Sequence, residues 1–250
     1  MKVIGIIPSR YASTRFPSKP LQMIKGKTMI QRVWEQAWKS KLDAVVVATD
    51  DIRIADEVLK FGGQYVMTAP NHRSGTDRCR EALYMVEDQY DAVVNIQGDE
   101  PFIDPAQINQ VIDLIGHDDT QIASLAKRIE DEDELFSPNV VKVVMDKDDN
   151  AVYFSRNPIP FMRNLDHDKW LQKGEFYKHI GLYAYKTETL CQIAEMQSTP
   201  LEIAESLEQL RWLENGLSIR MGITQHDSLS IDTQEDLEKA IQFAQNQWIE

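Results

Sequence analysis

Short apolar runs and polar turns alternate regularly along the first 100 residues. Val3 to Ile7 is a β-branched run of the length expected of a buried parallel strand. Three later runs have the same character, namely Ala44 to Ala48, Gln64 to Thr68 and Asp91 to Gln97. Between them, apolar residues recur at three- and four-residue spacing, which predicts helices at about 28–40 and over Ile52 to Phe61. Repeated β-α units of this kind predict an α/β fold with a doubly wound, mostly parallel sheet.

The pattern becomes richer in strands after a helix predicted from Pro105 to about Ile115. Strands are predicted at Ile122 to Ile129, Val140 to Met145, Ala151 to Ser155 and Ile180 to Tyr185. The second and third of these flank a turn-rich stretch, 146–150, and are therefore predicted to form a hairpin. The acidic run Glu130 to Glu134 is interpreted as a solvated loop.

The last fifth of the chain is predicted to return to a helix–strand–helix order. One helix is expected over Leu201 to Asn215, with Ile203, Leu207, Leu210 and Leu213 on its apolar face. A strand is expected over Ser218 to Thr224, and a final helix at about 234–247. Thr233 and Asp236 form a capping-box-like pair before the final helix. With neither a repeat nor a linker in the sequence, residues 1–250 are expected to form one domain with a strand-rich subdomain at about 121–185.

The loop after the first strand carries the most informative polar residues. From Pro8 to Pro20 it contains three prolines, small hydroxyl residues and three cations, a composition that excludes a helix. The cations are Arg10, Arg15 and Lys19. Seven cations precede the first acid, Glu35, in a chain whose net charge is −13. Positive charge at the carboxyl edge of an α/β sheet favours a phosphate ligand, and a merely solvated basic loop is the alternative.

Two familiar phosphate motifs are absent from this loop. Gly26-Lys27-Thr28 resembles the end of a P-loop, but Leu21 stands where that motif needs glycine. The dinucleotide pattern G-x-G-x-x-G is also missing after the first strand. The predicted phosphate site must therefore depend on side-chain cations, which suits a triphosphate.

Two aspartates follow or precede predicted elements at positions where a metal could bind. Asp99 comes after the fourth strand in Gly98-Asp99-Glu100-Pro101, and Asp232 lies just before the final helix. Mg²⁺ prefers a few carboxylate oxygens together with substrate phosphates. Each aspartate taken alone is as readily a turn or capping residue.

The segment 69–78 is predicted to be a loop that runs into a helix, with Thr76 or Asp77 as its N-cap.

Composition narrows the class of protein. The chain is 42% hydrophobic and 27% charged, as in ordinary soluble globular proteins, and its acidity argues against nucleic acid as a partner. No signal peptide and no apolar stretch of about 18 residues is present, so a cytoplasmic location without membrane contact is expected. Cys79 and Cys191 lack metal-ligand or redox spacing and are predicted to be reduced structural thiols.

Eight motifs together resemble the bacterial 3-deoxy-manno-octulosonate (Kdo) cytidylyltransferases, also called CMP-Kdo synthetases, of the nucleotidylyltransferase superfamily. In chain order they are IIPSRYASTRFPSKPL at 6–21, SGTDR at 74–78, NIQGDEP at 95–101, VKVVMD at 141–146, YFSR at 153–156, HIGLYAY at 179–185, ESLEQLRWLENG at 205–216 and IDT at 231–233. The basic loop alone is typical of the wider superfamily, whereas the later motifs resemble this family in particular.

The resemblance implies a Mg²⁺-dependent enzyme that joins CTP to the 2-hydroxyl of Kdo, giving CMP-Kdo and pyrophosphate for lipopolysaccharide synthesis. It implies a Rossmann-like fold whose strand-rich excursion serves sugar binding and homodimer formation. Catalytic roles are implied for Arg10, Lys19, Asp99 and Asp232, with both aspartates as metal ligands. Nucleotide contacts are implied for Pro8, Arg10, Arg15, Lys19, Ser74, Gly75, Arg78 and Gln97, and sugar contacts for Gln97, Arg156, His179, Tyr183, Glu208 and Gln209.

One residue departs from the family pattern. The position before the loop lysine is usually glycine in this family, and here it is Ser18. Serine is disfavoured at positive φ, so a left-handed backbone at this position would be strained.

Other functions remain open on the sequence alone. The same chemistry could act on 8-amino-Kdo or a sialate, and a CTP-sensing module could keep the site without turnover. A glycosyltransferase of related fold would normally carry a D-x-D metal motif, which Asp99-Glu100-Pro101 does not supply.

Overall fold

A computed structural model gives the structure of the protein and describes residues 1–12, 16–227 and 229–247. The chain divides into two compact units, the first formed by residues 1–112 and the segment from 228 onward, the second by residues 113–227. Among the described residues, no helix combines the length and apolar character that a bilayer crossing needs. The expectation of one domain with a strand-rich subdomain stays a prediction.

A parallel sheet forms the centre of the first unit. Its order is β6–β1–β4–β5, and every pairing within it is parallel. Because the strands are parallel, the residues that follow β1, β4 and β6 emerge at one edge of the sheet. This edge therefore receives the basic loop, Asp50 and the Gln97–Asp99 segment. The strands are β1 (Val3–Ser9), β2 (Met23–Ile24), β3 (Lys27–Thr28), β4 (Ala44–Thr49), β5 (Gln64–Met67) and β6 (Ala92–Asn95).

Helices follow the strands as the periodicity predicts, and polar side chains cap their first turns. Thr28 Oγ1 accepts from Gln31 N at 3.3 Å at the start of α1. The helix after residue 74 begins earlier than predicted, because Ser74 Oγ accepts from Asp77 N at 3.2 Å and so serves as the N-cap. Thr76 and Asp77 lie inside that helix, so their prediction as N-cap was wrong. The helices are α1 (Met29–Trp38), α2 (Ile52–Lys60), α3 (Gly75–Met85) and α4 (Pro105–Ile115).

A small hairpin separates the basic loop from α1. Strands β2 and β3 pair antiparallel across a two-residue turn in which Lys25 has φ 46° and Gly26 φ 80°. Both values are left-handed, as a tight hairpin turn of this kind requires, and Gly26 meets that requirement without strain. The glycine of the P-loop-like tripeptide thus serves a turn. A short 3₁₀ helix, Lys19–Leu21, ends the basic loop just before the hairpin.

The second unit is built largely from antiparallel strands. Strand β10 pairs antiparallel with β7 and with β8, and β11 lies parallel to β7. Strands β8 and β9 form the predicted hairpin around 146–150, which is confirmed. The strands are β7 (Ile122–Arg128), β8 (Lys142–Met145), β9 (Ala151–Ser155), β10 (Tyr177–Lys186) and β11 (Ile219–Ile223). The helices are α5 (Glu132–Phe136), α6 (Trp170–Lys173), α7 (Thr187–Glu195), α8 (Pro200–Glu205) and α9 (Gln209–Glu214).

Two predictions in this unit were wrong. The acidic run is not simply a loop, because Asp131 accepts from Asp133 N at 3.0 Å and caps the short helix α5. The helix predicted over Leu201 to Asn215 is broken at Ser206, whose φ of 53° is left-handed. Ile203, assigned to the buried face of one long helix, is 69% exposed. Apolar spacing could not reveal the break, since Leu207 and Leu210 are buried as predicted.

The C-terminal segment returns to the first unit as α10 (Gln234–Gln247). The predicted cap is confirmed, because Asp236 N donates to Thr233 Oγ1 at 3.2 Å and Thr233 N donates to Asp236 Oδ2 at 3.0 Å. The apolar face of α10 packs into a core with residues that adjoin the basic loop. The buried members of this core are Phe16, Ile24, Met29, Phe102, Ile231, Leu237, Ala240 and Ala244.

Candidate active site

The residues predicted to bind nucleotide and metal surround a cavity of about 290 Å³ in the first unit. Three segments at the carboxyl edge of the parallel sheet and the segment before α10 supply its walls. Nine of the predicted site residues line it, namely Pro8, Arg10, Lys19, Ser74, Gly75, Arg78, Gln97, Asp99 and Asp232. Five lining residues were not predicted, namely Ser9, Pro20, His72, Arg73 and Gly98.

The ammonium group of Lys19 contacts both Asp99 and Asp232, the two aspartates predicted to bind a metal ion. Its Nζ lies 2.7 Å from Asp99 Oδ2 and 3.3 Å from Asp232 Oδ1. The Lys19 side chain is 15% exposed, against 27% for Asp99 and 40% for Asp232, so the three charges are shielded only in part from water. The backbone also holds the aspartates close, because Ile231 N donates to Asp99 O at 3.0 Å. The predicted convergence of these carboxylates is therefore observed.

The donor set at this point fits a hard divalent cation. Among the described residues no group of three or more His, Cys, Asp or Glu side chains could form a metal cage. Mg²⁺ does not require one, since it is usually held by one or two carboxylates together with substrate phosphates. Asp99 and Asp232 supply that number of carboxylates beside the cavity.

The basic loop places a second cation at the cavity and bends sharply before Lys19. Arg10 is exposed and has no side-chain partner among the residues that the structure describes, so its guanidinium is available to a ligand. Arg15, predicted to hold the triphosphate, lies outside the described residues. Ser18 has φ 56° and ψ 20°, and its N–H donates to Tyr11 O at 3.1 Å. The backbone before Lys19 is therefore left-handed, the conformation in which serine is disfavoured.

The carboxylate of Glu81, on α3, contacts two residues of the loop that precedes this helix. Glu81 Oε2 accepts from Ala69 N at 2.8 Å and also contacts His72 Nε2. Burial raises the pKa of Glu81, but the hydrogen bonds from His72 and Ala69 N outweigh it and leave the pKa below its usual value. The loop ends at Ser74 and Gly75, which line the cavity. No pattern in the sequence indicates the contact between His72 and Glu81.

Arg78 lines the cavity but is already engaged within the protein. It is only 4% exposed, and its Nη1 donates to Thr68 Oγ1 at 2.5 Å. Its Nη2 donates to Asp50 Oδ2 at 3.1 Å. These bonds tie α3 to the ends of β4 and β5. Its predicted nucleotide contact stays a prediction.

Gly98 allows two loops of the cavity to approach closely. A Cβ at this position would lie 2.9 Å from Pro8 O and 2.8 Å from Ser9 Oγ, which is too close for any side chain. Ser9 is 3% exposed, and its hydroxyl has no hydrogen-bond partner among the described residues. A buried orphan hydroxyl in a cavity wall is a site where a ligand could supply the missing partner. Nothing in the sequence distinguished Ser9 from its neighbours.

Five of the residues predicted to bind sugar belong to the second unit. The rings of His179 and Tyr183, both on β10, lie 5.2 Å apart. Burial lowers the pKa of His179 to about 3, so its imidazole is neutral at neutral pH. Burial and the negative charge of Glu208 raise the pKa of Tyr183 well above its usual value. The Tyr183 hydroxyl is buried and lacks a hydrogen-bond partner in the described part of the chain.

The other three predicted sugar ligands lie around the break between α8 and α9. Arg156 Nε donates to Glu205 O at 2.7 Å and its Nη2 to Ser206 O at 3.4 Å, so this guanidinium holds the left-handed turn in place. Glu208 Oε1 accepts from Arg211 Nη2 at 3.0 Å. Gln209 is 6% exposed. The turn therefore positions Glu208 and Gln209 at the start of α9.

Comparison with known proteins identifies the family. The family model described as cytidylyltransferase matches residues 4–219. A 3-deoxy-manno-octulosonate cytidylyltransferase of Parabacteroides distasonis is 55% identical over 250 residues, covering 98% of this chain and 99% of its own. The chain belongs to the 3-deoxy-manno-octulosonate cytidylyltransferase family.

Other members of the family agree over the full chain. The 3-deoxy-manno-octulosonate cytidylyltransferase of Bacteroides thetaiotaomicron is 53% identical and covers 98% of this chain and 99% of its own. A solved structure of CMP:2-keto-3-deoxy-manno-octonic acid synthetase complexed with CTP matches with a TM-score of 0.92 at 38% identity, covering 99% of this chain and 100% of its own. Family membership and the predicted α/β fold class are thus confirmed together.

Proposed function

We propose that this cytidylyltransferase joins CTP to the 2-hydroxyl of Kdo and releases pyrophosphate. The observation that carries the proposal is the contact of Lys19 with both Asp99 and Asp232 at the wall of the cavity in the first unit. A cation between two carboxylates, at a cavity that the exposed Arg10 also lines, is an arrangement suited to phosphoryl chemistry. The full-length likeness to enzymes named for this reaction supports the choice of nucleotide and sugar.

Side chains of the basic loop are proposed to grip the triphosphate. Arg10 and Lys19, with Arg15, would bind phosphate oxygens and stabilise negative charge that moves onto the departing pyrophosphate. Ser74 and Gly75 would place backbone N–H groups at the start of α3 near the nucleotide. Pro8, Arg78 and Gln97 complete the proposed nucleotide contacts.

Asp99 and Asp232 are proposed to hold Mg²⁺ together with phosphate oxygens of the substrate. When bound, the ion would neutralise phosphate charge and lower the pKa of a coordinated hydroxyl. Lys19 contacts both carboxylates in the free protein and is therefore expected to change partners when phosphate arrives. The rest of the rate enhancement would come from positioning of the sugar hydroxyl and charge stabilisation by the cations.

The sugar is proposed to bind in the second unit. Its hydroxyl groups could satisfy the buried Tyr183 hydroxyl, which has no partner in the described structure. His179, Glu208 and Gln209 offer further hydrogen-bonding groups, and Gln97 is the remaining proposed contact. Arg156 has three donor atoms on backbone carbonyls, and the other N–H groups of its guanidinium are proposed to bind the sugar carboxylate.

Release of pyrophosphate from CTP tests the reaction directly. Wild-type protein should release it only when both Kdo and Mg²⁺ are present. Asp99→Asn and Asp232→Asn should each lower kcat by at least about a hundredfold, the effect expected when a charge that stabilises the transition state is lost. Asp56→Asn, which changes an exposed carboxylate on α2, is the matched control and should keep wild-type activity. Absence of pyrophosphate from a folded, CTP-binding wild-type sample would refute the proposal.

The same assay separates the alternatives. Comparison of Kdo, 8-amino-Kdo and a sialate by kcat/KM would identify the preferred acceptor. Tight CTP binding without product for any of these sugars would instead favour a nucleotide-sensing module.

Binding of Mn²⁺ tests the metal site without turnover. In the presence of CTP, the Mn²⁺ affinity measured by electron paramagnetic resonance should be weaker in Asp99→Asn and unchanged in Asp56→Asn.

We also propose a homodimer formed through the strand-rich region. The resemblance to the family supports this assembly, and the exposed apolar side chains of Val152 (59%) and Phe161 (72%) are accessible to a second copy of the chain. Light scattering after size exclusion should give twice the mass of 28.8 kDa expected for one chain. Phe161→Asp should shift the protein to the monomer mass, and a wild-type monomer would contradict the proposal.

A further inference from the structure

Ser124 lies at the centre of β7 and contacts three groups of the neighbouring strand. Its side chain is fully buried, and its Oγ lies 2.9 Å from His179 Nε2, 2.9 Å from Leu182 O and 3.2 Å from Ile180 O. The pairing of β10 with β7 shifts register between Ile180 and Tyr183. This irregularity directs two carbonyls and one imidazole of β10 at a single hydroxyl.

The number of available protons decides the direction of these hydrogen bonds. A serine hydroxyl has one proton to donate, and a carbonyl oxygen can only accept. Leu182 O and Ile180 O therefore compete for the one proton of Ser124. An unprotonated Nε2 would need the same proton, whereas an Nε2–H group would donate to a lone pair of Oγ and leave the proton to a carbonyl. Only this second arrangement satisfies the hydroxyl, the imidazole nitrogen and a carbonyl together.

We propose that Ser124 is a positioning residue of the sugar site, because its hydroxyl holds His179 as the Nε2–H tautomer and leaves Nδ1 as a hydrogen-bond acceptor. An acceptor at Nδ1 binds a hydroxyl of the sugar and repels its carboxylate. His179 therefore selects a polyol group, and the acidic end of the sugar must be bound elsewhere. This inference rests on the proposed function in one respect, the contact of His179 with the sugar.

The surroundings of the ring agree with a fixed, neutral imidazole. The Phe154 ring meets the imidazole edge-to-face with centroids 5.1 Å apart, and the Tyr183 ring lies tilted to it with centroids 5.2 Å apart. Burial lowers the pKa of His179 to about 3, so the second nitrogen stays unprotonated at neutral pH. A neutral histidine has one donor and one acceptor nitrogen, and the bond to Ser124 decides which is which.

Nitrogen-15 NMR of the labelled imidazole tests the assignment without substrate or turnover. The resonances of His179 are identified by their loss in His179→Asn. Wild-type protein should show Nε2 protonated and Nδ1 unprotonated. Ser124→Ala should give a mixture of tautomers, and Ser124→Thr, which keeps the hydroxyl, should restore the wild-type spectrum. A wild-type spectrum with Nδ1 protonated would overturn the proposal even if Ser124→Ala failed to fold.

Kinetics test whether the tautomer matters for the sugar. Ser124→Ala should raise KM for the sugar about tenfold, the loss of roughly one hydrogen bond, and leave KM for CTP unchanged. Equal changes in both KM values, or none, would overturn the role in sugar binding. Because the spectrum is recorded on the free protein, a wrong tautomer is distinguishable from a wrong activity, which the pyrophosphate assay detects.

Discussion

At the scale of single residues, the site depends on close backbone approaches that no side-chain inventory reveals. Gly98 is required because Pro8 O lies 2.9 Å and Ser9 Oγ 2.8 Å from the position that a Cβ would occupy. A serine side chain can turn away, but a backbone carbonyl at the end of a buried strand cannot move without moving β1. The shape of the cavity wall therefore depends on the absence of a Cβ at Gly98, which lets this segment approach Pro8 closely.

Gly98→Ala is therefore expected to damage the nucleotide site. Displacement of the segment at Pro8 should weaken CTP binding at least tenfold and cost about 1–3 kcal/mol of unfolding free energy, as overpacking usually does. Calorimetric titration with CTP and urea unfolding measure the two effects. If Gly98→Ala bound CTP as tightly as wild type, the close approach would have no functional meaning.

Ser18 shows how a residue can be kept in an unfavourable conformation. Its left-handed backbone costs about 1–2 kcal/mol relative to glycine, while its hydroxyl gains a 3.1 Å hydrogen bond from Gln22 Nε2. Glycine would remove the strain but also that bond, and it would raise the entropy of the unfolded chain. The opposing terms nearly cancel.

We expect Ser18→Gly to change the unfolding free energy by less than about 1 kcal/mol. Ser18→Val is the contrasting variant, because a β-branched residue tolerates the left-handed region poorly and should lose about 1–2 kcal/mol. Urea denaturation of both variants tests this. A valine variant as stable as wild type would mean that the turn relaxes to another conformation.

At the scale of elements, periodicity predicted most helices and strands of the first unit but could not locate local breaks. The division of Leu201–Asn215 into α8 and α9 depends on Glu205, whose carboxylate accepts from Ser155 Oγ at 2.7 Å and from Arg156 N at 2.9 Å. These partners lie about 50 residues away in sequence. A pattern of apolar spacing contains no information about such bonds, so it predicted one continuous helix.

The β8–β9 hairpin is anchored by a buried lysine that sequence reasoning passed over. Lys142 is fully buried, and its Nζ donates to Ser137 O at 2.8 Å, to Val140 O at 2.6 Å and to Arg156 O. Burial lowers the pKa of Lys142, and the nearby charge of Arg156 adds to the effect. One ammonium group thus satisfies three carbonyls and fixes the backbone that carries Arg156.

Lys142→Met is expected to destabilise the protein by about 2–4 kcal/mol, because it leaves three partly buried carbonyls without their donor. Lys147→Met is the matched control on the same hairpin. The Lys147 side chain is 87% exposed and pairs with the neighbouring, exposed Asp148, so its loss should cost less than about 0.5 kcal/mol. Unfolding free energies of the two variants within 1 kcal/mol of each other would contradict this role of Lys142.

At the scale of the whole molecule, the topology brings together residues that are far apart in sequence. Parallel pairing of β1, β4 and β6 gathers the loops of the nucleotide cavity, and this followed from the repeated β-α pattern. The approach of Asp232 to Asp99 followed only from the resemblance to the family, because residues 113–227 separate the two parts of the first unit. Fold class was therefore predictable from periodicity, whereas the complete site was not.

The lowered pKa of His179 also makes the stability of the protein depend on pH. His179 has a pKa of about 3 in the folded state, against 6.5 for an ordinary histidine. Between these values the unfolded chain binds a proton that the folded protein does not, so the unfolding free energy must fall as pH falls from about 6.5 toward 3. Over pH 7 to 5 the loss should be on the order of 1–2 kcal/mol.

Urea unfolding at several pH values measures this loss of unfolding free energy, and His179→Asn should remove the part of the pH dependence that His179 causes. His117→Gln, a change at an exposed histidine, should keep the wild-type slope. Equal slopes for His179→Asn and wild type would mean that His179 takes up its proton in the folded protein, which would also remove the fixed acceptor nitrogen proposed for sugar binding.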